Sequence, residues 1–212
     1  PLRDLASKYQ VPTPLVQESE NGSKIALYLD LVWSRETPPM FLKRDLGSPL
    51  NCKAVDDVLE QHGVLPLNSP PGYPKYNGSM ERSMQDLKSV LDEQRLQGLM
   101  AGMPMTLELE LGTHKLNHRR LRVLGGQTPC QCFHDPQRRV RLHGAQRKKI
   151  FSEIFGRYWQ FAQCMPERNP HTLAAAWRWV VQDWLRCQGW IEIRTNNQKP
   201  VSTNSNGFFS HN

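Results

Sequence analysis

The segment Phe-Leu-Lys-Arg-Asp-Leu-Gly-Ser-Pro at residues 41–49 fixes the architecture of this chain, together with Asn-Gly-Ser-Met-Glu at residues 77–81. The apolar run at residues 40–42 predicts a short buried strand that ends at Asp45, and the Gly-Ser-Pro after it is typical of a turn. Asn-Gly in the second segment is another turn signal, and it places Glu81 at the start of a long helical pattern. Strand ends and first helical turns are rigid positions, so we expect both carboxylates to point into one crevice of an α/β scaffold.

The order and spacing of these motifs resemble the catalytic core of retroviral integrases and of the bacterial transposases related to them. That family carries Asp-Asn-Gly-Ser around its second acidic residue and Asn-Gly-x-x-Glu around its third. Here the two acidic residues are Asp45 and Glu81, with thirty-five residues between them, which is the family's characteristic gap. Residues 114–119 and 124–129 resemble the closing Asn-x-x-Arg and Leu-Gly-Gly-x-Thr-Pro motifs of the bacterial branch, so the resemblance covers roughly residues 1–135.

The resemblance implies an α/β fold of the ribonuclease H-like type, in which a mixed sheet is flanked by helices. Residues 1–16 would form two extended segments, and Ser-Lys-Tyr at residues 7–9 would match the turn after the family's second strand. The first strand and its catalytic Asp would then precede residue 1 and be missing from this chain. Asp4 is one substitute, although the family does not use its position for metal, and Asp30 is expected to be a helix-surface carboxylate.

The activity implied by the resemblance is that of a DDE-type polynucleotidyl transferase of a mobile element, which cleaves DNA and joins strands during DNA integration. Such enzymes use two Mg²⁺ ions, about 3.5–4 Å apart, to activate the attacking hydroxyl and stabilise the leaving oxygen. Asp45 and Glu81 are the candidate catalytic residues and ligands for Mg²⁺ or Mn²⁺, which prefer oxygen ligands. Because three carboxylates are needed, we expect this chain alone to be inactive and its intact parent to be active. Leu46 replaces the family's usual Asn and removes a polar neighbour of Asp45.

The charge of the chain is compatible with a polyanionic partner, and the resemblance implies that this partner is DNA. The 212 residues include 27 Lys and Arg against 20 Asp and Glu, which gives a net charge of +7 and a pI near 9.3. Clustered cations neutralise phosphates and release counterions, although such a face can also be simply solvated. The candidate DNA-binding residues, from the resemblance and from the basic clusters, are Lys75, Asn77, Lys88, Arg119, Arg138, Arg139, Arg141, Arg147, Lys148 and Lys149.

No apolar run approaches the roughly 18 residues that a membrane span needs, so no membrane partner is predicted. The five cysteines are too few and too scattered for a disulfide framework, so we expect reduced thiols. The expected location is the bacterial cytoplasm, on the nucleoid when the protein is bound to DNA. Cys-x-Cys-x-His at residues 130–134 suggests zinc, but a second ligand pair is missing nearby. Thr128 and Pro129 instead predict a capped helix start.

Residues 136–194 are predicted to be a basic, aromatic-rich helical region. Helices are expected at residues 150–165 and 172–187, with their aromatic faces packed on each other, and a strand at residues 189–193. Helix, helix and strand together are one pattern of a small winged DNA-binding module. Residues 195–212 are rich in Asn, Ser and Thr and are expected to be loosely ordered.

Two other functions stay open from the sequence alone. The first is a non-catalytic DNA-binding remnant or regulator derived from a transposase, which would keep only the basic surface. The second is a ribonuclease H-like nuclease without strand transfer, which fits the closing motifs less well. Members of the family assemble as multimers on DNA, so the resemblance implies a homo-oligomer on DNA.

Overall fold

The computed structural model of the chain describes residues 2–12, 15–16, 19, 21–72, 74–138 and 142–192, without the side chains of Ser48, Pro74 and Lys75. These residues form an α/β structure, as predicted, which divides into two compact units, Pro1–Glu153 and Ile154–Asn212. The elements are α1 (Gly22–Arg35), β1 (Phe41–Arg44), α2 (Lys53–Gln61), β2 (Leu65–Asn68), α3 (Gly78–Leu96), α4 (Met105–His118), α5 (Pro129–His134), α6 (Gly144–Gln163) and α7 (Pro170–Cys187).

The first unit is organised around β1, α2 and β2. The two strands pair in parallel, from Phe41 opposite Leu65 to Arg44 opposite Asn68. A parallel pair needs a crossover, and α2 supplies it, so the buried face of the pair is covered by helix. The shared core of α1, α2 and the strands consists of Ala26, Leu29, Val32, Trp33, Leu42, Val55, Leu59 and Val64. Strand β1 lies where the apolar run at residues 40–42 predicts a strand.

The N-terminal segment forms a narrow hairpin rather than two full strands. Arg3 and Gln10 make an isolated antiparallel bridge. The amide of Asp4 donates to the carbonyl of Tyr9 at 2.8 Å, and the amide of Val11 donates to the carbonyl of Leu2 at 2.9 Å. Proline lacks the amide hydrogen that a ladder needs, and a proline follows directly after Val11.

The sheet is therefore smaller than the predicted one. Among the described residues only β1 and β2 form a sheet, and both strands are parallel. The mixed ribonuclease H-like sheet expected from the sequence is not seen in this part of the chain. Within the described residues, the N-terminal hairpin contributes one antiparallel bridge, between Arg3 and Gln10.

Helices α3 and α4 cross closely at Gly112. A methyl group there would lie 2.9 Å from Cδ2 of Leu91 and 3.0 Å from Cδ1 of Leu87, so the absence of a side chain allows the approach. Apolar residues of both helices and of their connection form a second core cluster. Its buried members are Leu87, Val90, Leu91, Met100 and Leu116.

The short helix α5 begins as the sequence predicts. The Thr128 hydroxyl accepts a hydrogen bond from the amide of Gln131 at 3.1 Å, and the Gln131 side chain accepts from the amide of Thr128 at 2.9 Å. This reciprocal pair satisfies two amides that lack helical partners, and Pro129 occupies the first position.

Helices α6 and α7 carry the aromatic contacts of the second unit. Both predicted helices are present, but α6 begins at Gly144 rather than Ile150, so the basic residues 147–149 are helical. Phe155 lies 5.3 Å from Trp177 between ring centroids, and Tyr158 lies 5.5 Å from Trp177.

The strand predicted for residues 189–193 is wrong for its described part. Residues 189–192 do not form a strand, and Ile193 lies outside the described residues. The strand that a winged module would need is thus not seen in that part of the chain. None of the helices in the described ranges combines the length and the apolar character that crossing a bilayer requires.

Candidate active site

Asp45 lies in a well-defined turn directly after β1. Its Oδ1 accepts a hydrogen bond from the amide of Gly47 at 3.0 Å. The Asn51 side-chain amide donates to the carbonyls of Asp45 and Gly47, both at 2.8 Å. These bonds fix the backbone of the turn, while the Asp45 side chain stays exposed. A carboxylate on a fixed, exposed turn is better placed to bind a cation than one on a free loop.

Arg44 anchors this turn from the buried side of β1. Its guanidinium donates to Oδ1 of Asn68 at 2.7 Å and to the carbonyl of Leu50 at 2.7 Å, and it pairs with Asp56 at 2.8 Å. One side chain therefore ties β1 to β2, to the turn after Asp45 and to α2. The sequence reasoning missed this residue, although Arg44 lies two positions after Leu42 and alternation places both on the inner face of the strand.

Glu81 lies on the first turn of α3, which is held next to the end of β1. The amide and the hydroxyl of Ser69 both donate to the carbonyl of Arg44, at 2.9 and 3.0 Å. The same hydroxyl lies 2.9 Å from Oδ1 of Asn77, the residue that precedes α3. A short chain of bonds thus connects the backbone before Asp45 with the start of the helix that carries Glu81. The Glu81 carboxylate is exposed, and the helix dipole favours an anion there.

Two cations hold the backbone around the start of α3. The Lys43 ammonium donates to the carbonyl of Tyr76 and lies 3.9 Å from the centroid of the Tyr76 ring, and its burial lowers the pKa of Lys43. The Arg3 guanidinium donates to the carbonyl of Ser79 at 2.8 Å. Burial also lowers the pKa of Arg3, against the smaller opposing effect of Asp86. The candidate site therefore has the cations Lys43 and Arg3 close to the start of the helix that carries the acidic Glu81.

The described residues do not by themselves fit a pair of Mg²⁺ ions. Asp45 and Glu81 are two carboxylates, and no group of three or more His, Cys, Asp or Glu in the described part of the chain is arranged to hold a metal ion. Asp4 accepts from the amide and the hydroxyl of Ser7, at 2.7 and 2.6 Å, and so shapes its own turn. Asp30 lies on α1, with Oδ1 2.7 Å from Nε2 of His62.

The predicted DNA-binding residues have different surroundings. Four of them, Lys88, Arg119, Lys148 and Lys149, are exposed on helices or helix ends. Arg138 lies 3.6 Å from the Asp135 carboxylate and donates to the sulfur of Cys132 at 3.4 Å. The side chain of Lys75 lies outside the description, as do Arg139 and Arg141. DNA binding by all of these residues stays a prediction.

Arg147 has a structural environment that the sequence did not predict. Its guanidinium donates to four carbonyls, those of Pro38 at 3.0 Å, Pro39 at 2.7 Å, His62 at 3.2 Å and Gly63 at 2.7 Å. Burial lowers its pKa. These bonds tie α6 to the connections before β1 and after α2. Because its donors are used within the chain, the geometry does not favour the predicted contact of Arg147 with DNA.

The Asn of the closing Asn-x-x-Arg motif is also a structural residue. Asn117 is buried on α4, accepts from the amide of Gln10 at 2.9 Å and donates to the carbonyl of Gln10 at 2.7 Å. The neighbouring Tyr9 ring stacks on Phe133 of α5, with centroids 4.2 Å apart. Asn117 of α4 and Phe133 of α5 therefore hold the N-terminal hairpin in place.

Comparison with known proteins gives a likeness at the level of the fold. No family model matches the chain, and no curated protein matches it either. A chain in the cryo-EM structure of the simian T-cell lymphotropic virus intasome, in complex with PP2A regulatory subunit B56 gamma, is similar at a TM-score of 0.52 and 18% identity. The match covers 60% of this chain and 45% of that one, so the present chain spans under half of its length. The crystal structure of the BIV integrase catalytic core domain aligns at a TM-score of 0.46 and 26% identity, over 55% of this chain and 73% of the domain. The chain thus shares an integrase-like fold with the intasome structure.

Proposed function

We propose that this chain belongs to a DNA integrase- or transposase-like protein, in which Asp45 and Glu81 are two carboxylates of one DNA-processing site. Three observations support the proposal: the integrase-like fold, the order and spacing of the motifs, and the basic character of the chain. The observation that carries most weight is the bonded connection from the Arg44 carbonyl through Ser69 to Asn77, because it joins the elements that bear the two carboxylates.

The chemistry that fits such a site is phosphoryl transfer on DNA, with cleavage and strand transfer as its outcomes. Mg²⁺ or Mn²⁺ would supply charge stabilisation when bound, and Asp45 and Glu81 would be two of its oxygen ligands. The described residues lack the third carboxylate, so on their own they account for binding and positioning of DNA rather than for a complete reaction. In this proposal the third carboxylate belongs to a segment of the intact parent that precedes residue 1.

A DNA-binding protein without catalysis is the second candidate function. It is favoured by the same observation that no three-ligand group exists among the described residues. In this case the exposed cations Lys88, Lys148 and Lys149 would act without a metal, and Asp45 and Glu81 would have no role beyond their local structure.

We propose in addition that copies of this chain assemble on DNA. This proposal rests on the resemblance, and the similar solved chain belongs to an intasome.

A plasmid assay tests the first proposal against the second. We would incubate supercoiled plasmid with Mn²⁺ or Mg²⁺ and either this chain, a chain extended by about fifty residues at its N-terminus, or the extended Glu81→Gln variant. The first proposal predicts nicking by the extended chain only. If the extended chain binds DNA with a steep salt dependence but never nicks it, the non-catalytic function is correct. If this chain nicks without the extension and Asp4→Asn abolishes the nicking, the placement of the third carboxylate is wrong.

A further inference from the structure

A groove between the end of α6 and the start of α7 lies entirely within the second unit and takes no part in the candidate active site. Its volume is about 450 Å³, which is within the usual range for a small-ligand site. The lining residues are Phe161, Met165, Thr172, Ala175, Ala176, Arg178, Trp179 and Gln182.

Two aromatic rings that line this groove are stacked on each other and partly exposed to solvent. Phe161 and Trp179 stack with their centroids 4.9 Å apart and their planes 22° apart. Phe161 is 40% exposed and Trp179 is 54% exposed, although both are large apolar side chains on a helical hairpin. Burying such rings is strongly favourable, so an exposed stacked pair is typical of a surface that another ring covers.

The charge of the lining residues indicates which kind of ring-bearing partner fits the groove. Of the eight lining side chains, Arg178 is a cation and none is acidic. A flat ring joined to a negative charge is the chemistry that this combination recognises, and a nucleotide has both. A second copy of this chain fits less well, because each copy carries a net charge of +7.

We propose that this groove binds an unpaired nucleotide of a DNA strand. The base stacks on the Phe161–Trp179 pair, and the adjacent phosphate interacts with Arg178. Base–aromatic stacking contributes about 1–3 kcal/mol per base, and it requires a base that is not already stacked in a duplex. The inference rests on the proposed function, because DNA is the polymer in both. It adds that the preferred DNA has an unpaired end or overhang.

Fluorescence anisotropy with three labelled DNAs tests this inference. The probes are a blunt 20-base-pair duplex, the same duplex with a 3′ overhang of five thymidines, and a single strand of twelve thymidines. The variants are Trp179→Ala, Trp179→Phe and Trp159→Ala. Trp159 is the matched control, since it is 59% exposed on the same helical hairpin but does not line the groove.

We expect the wild type to bind the overhang duplex more tightly than the blunt duplex. Trp179→Ala should weaken binding of the overhang and of the single strand by about fivefold or more, which corresponds to one lost stacking contact. Trp179→Phe should retain most of the affinity, because it keeps an aromatic ring. Trp159→Ala should leave all three affinities unchanged, and none of the variants should alter binding of the blunt duplex.

Three outcomes would overturn the inference. One is equal loss of affinity in Trp179→Ala and Trp159→Ala, and another is no loss in either. The third is a change of oligomeric mass in Trp179→Ala, measured by light scattering, with unchanged binding of the overhang, which would mean that a second copy covers the groove. Failure of the proposed function looks different, because the wild type would then not bind the blunt duplex, while the overhang and single-strand probes still test the groove.

Discussion

Arg44 is the residue on which the position of Asp45 depends most. Its buried guanidinium has partners on β2, on α2 and in the turn that follows Asp45. Arg44→Ala would leave Asn68 and the Leu50 carbonyl without their charged donor, and we expect a loss of about 2–3 kcal/mol in the free energy of unfolding. Urea denaturation measures this loss. Arg82→Ala is the control, because Arg82 is exposed and pairs with its helical neighbour Asp86, so its effect should stay within about 0.5 kcal/mol.

Tyr28 provides a pH-dependent prediction at the same scale. Burial raises its pKa to about 12, and its buried hydroxyl has no hydrogen-bond partner among the residues that the structure describes. The folded chain therefore holds the phenol proton to higher pH than the unfolded chain, so stability from this group is lost as pH rises from about 10 to 12. Tyr28→Phe removes the titrating group. Relative to this variant, the wild type should lose about 1–2 kcal/mol over that range, allowing for partial exposure.

Thermal unfolding at pH 9, 10 and 11 compares the two proteins. An equal pH response in both would contradict the assigned environment of Tyr28. At pH 7 the variant should be at least as stable as the wild type, because it removes an unpaired buried hydroxyl.

Sequence patterns predict the positions of Asp45 after a strand and of Glu81 at a helix start, but they do not predict the residues that fix these positions. The two carboxylates follow from local patterns, namely a strand end and a helix start. Arg44, Asn117 and Arg147 were missed or assigned to DNA, because their roles depend on partners far along the chain, such as Gln10 for Asn117 and Pro38 for Arg147. Arg147 shows the difficulty well, since a basic cluster predicts phosphate contact and only the fold reveals the four carbonyls.

At the level of elements, helices follow from their periodicity better than the sheet does. Helices α3, α5, α6 and α7 lie where the sequence predicts helices, and α5 has the predicted Thr128 cap. The early start of α6 is not predicted by an apolar pattern, because residues 144–149 lack one. Hydrogen bonds of Arg147 hold this first part of the helix. The expected mixed sheet depends on pairing between distant segments, which periodicity alone does not determine.

Two helix-interior glycines give a matched test of packing at this scale. Gly112 is in contact with Leu87 and Leu91 at the α3–α4 crossing, whereas a methyl group on Gly156 of α6 would meet nothing within 4 Å. Alanine favours helix over glycine by about 1 kcal/mol in both places. We expect Gly156→Ala to stabilise the protein by about 0.5–1 kcal/mol. Gly112→Ala should destabilise it by about 1 kcal/mol, because overpacking exceeds the helical gain. Chemical denaturation measures both changes, and stabilisation by Gly112→Ala would contradict the close crossing.

On the scale of the whole molecule, the basic surface predicts how DNA binding responds to salt. Each phosphate contact contributes about 0.9 to the slope of log affinity against log salt concentration. The double variant Lys148→Gln/Lys149→Gln should reduce the slope by about 1–2 and weaken binding uniformly across sequences. Lys53→Gln is the control, because Lys53 is exposed on α2 and pairs with Asp57. Equal slopes in the wild type and the double variant would place the DNA on another face.

The pairing of Asp45 with Glu81 is most directly tested by Mn²⁺ binding, followed by electron paramagnetic resonance, in this chain and in Asp45→Asn, Glu81→Gln and Glu60→Gln. If Asp45 and Glu81 bind the same ion, we expect one weak Mn²⁺ site. Asp45→Asn or Glu81→Gln should each weaken its affinity by about tenfold or more. Glu60, an exposed carboxylate on α2, should have no effect when changed. A wild-type site that survives both single substitutions, or the absence of any difference among the four proteins, would contradict the shared site.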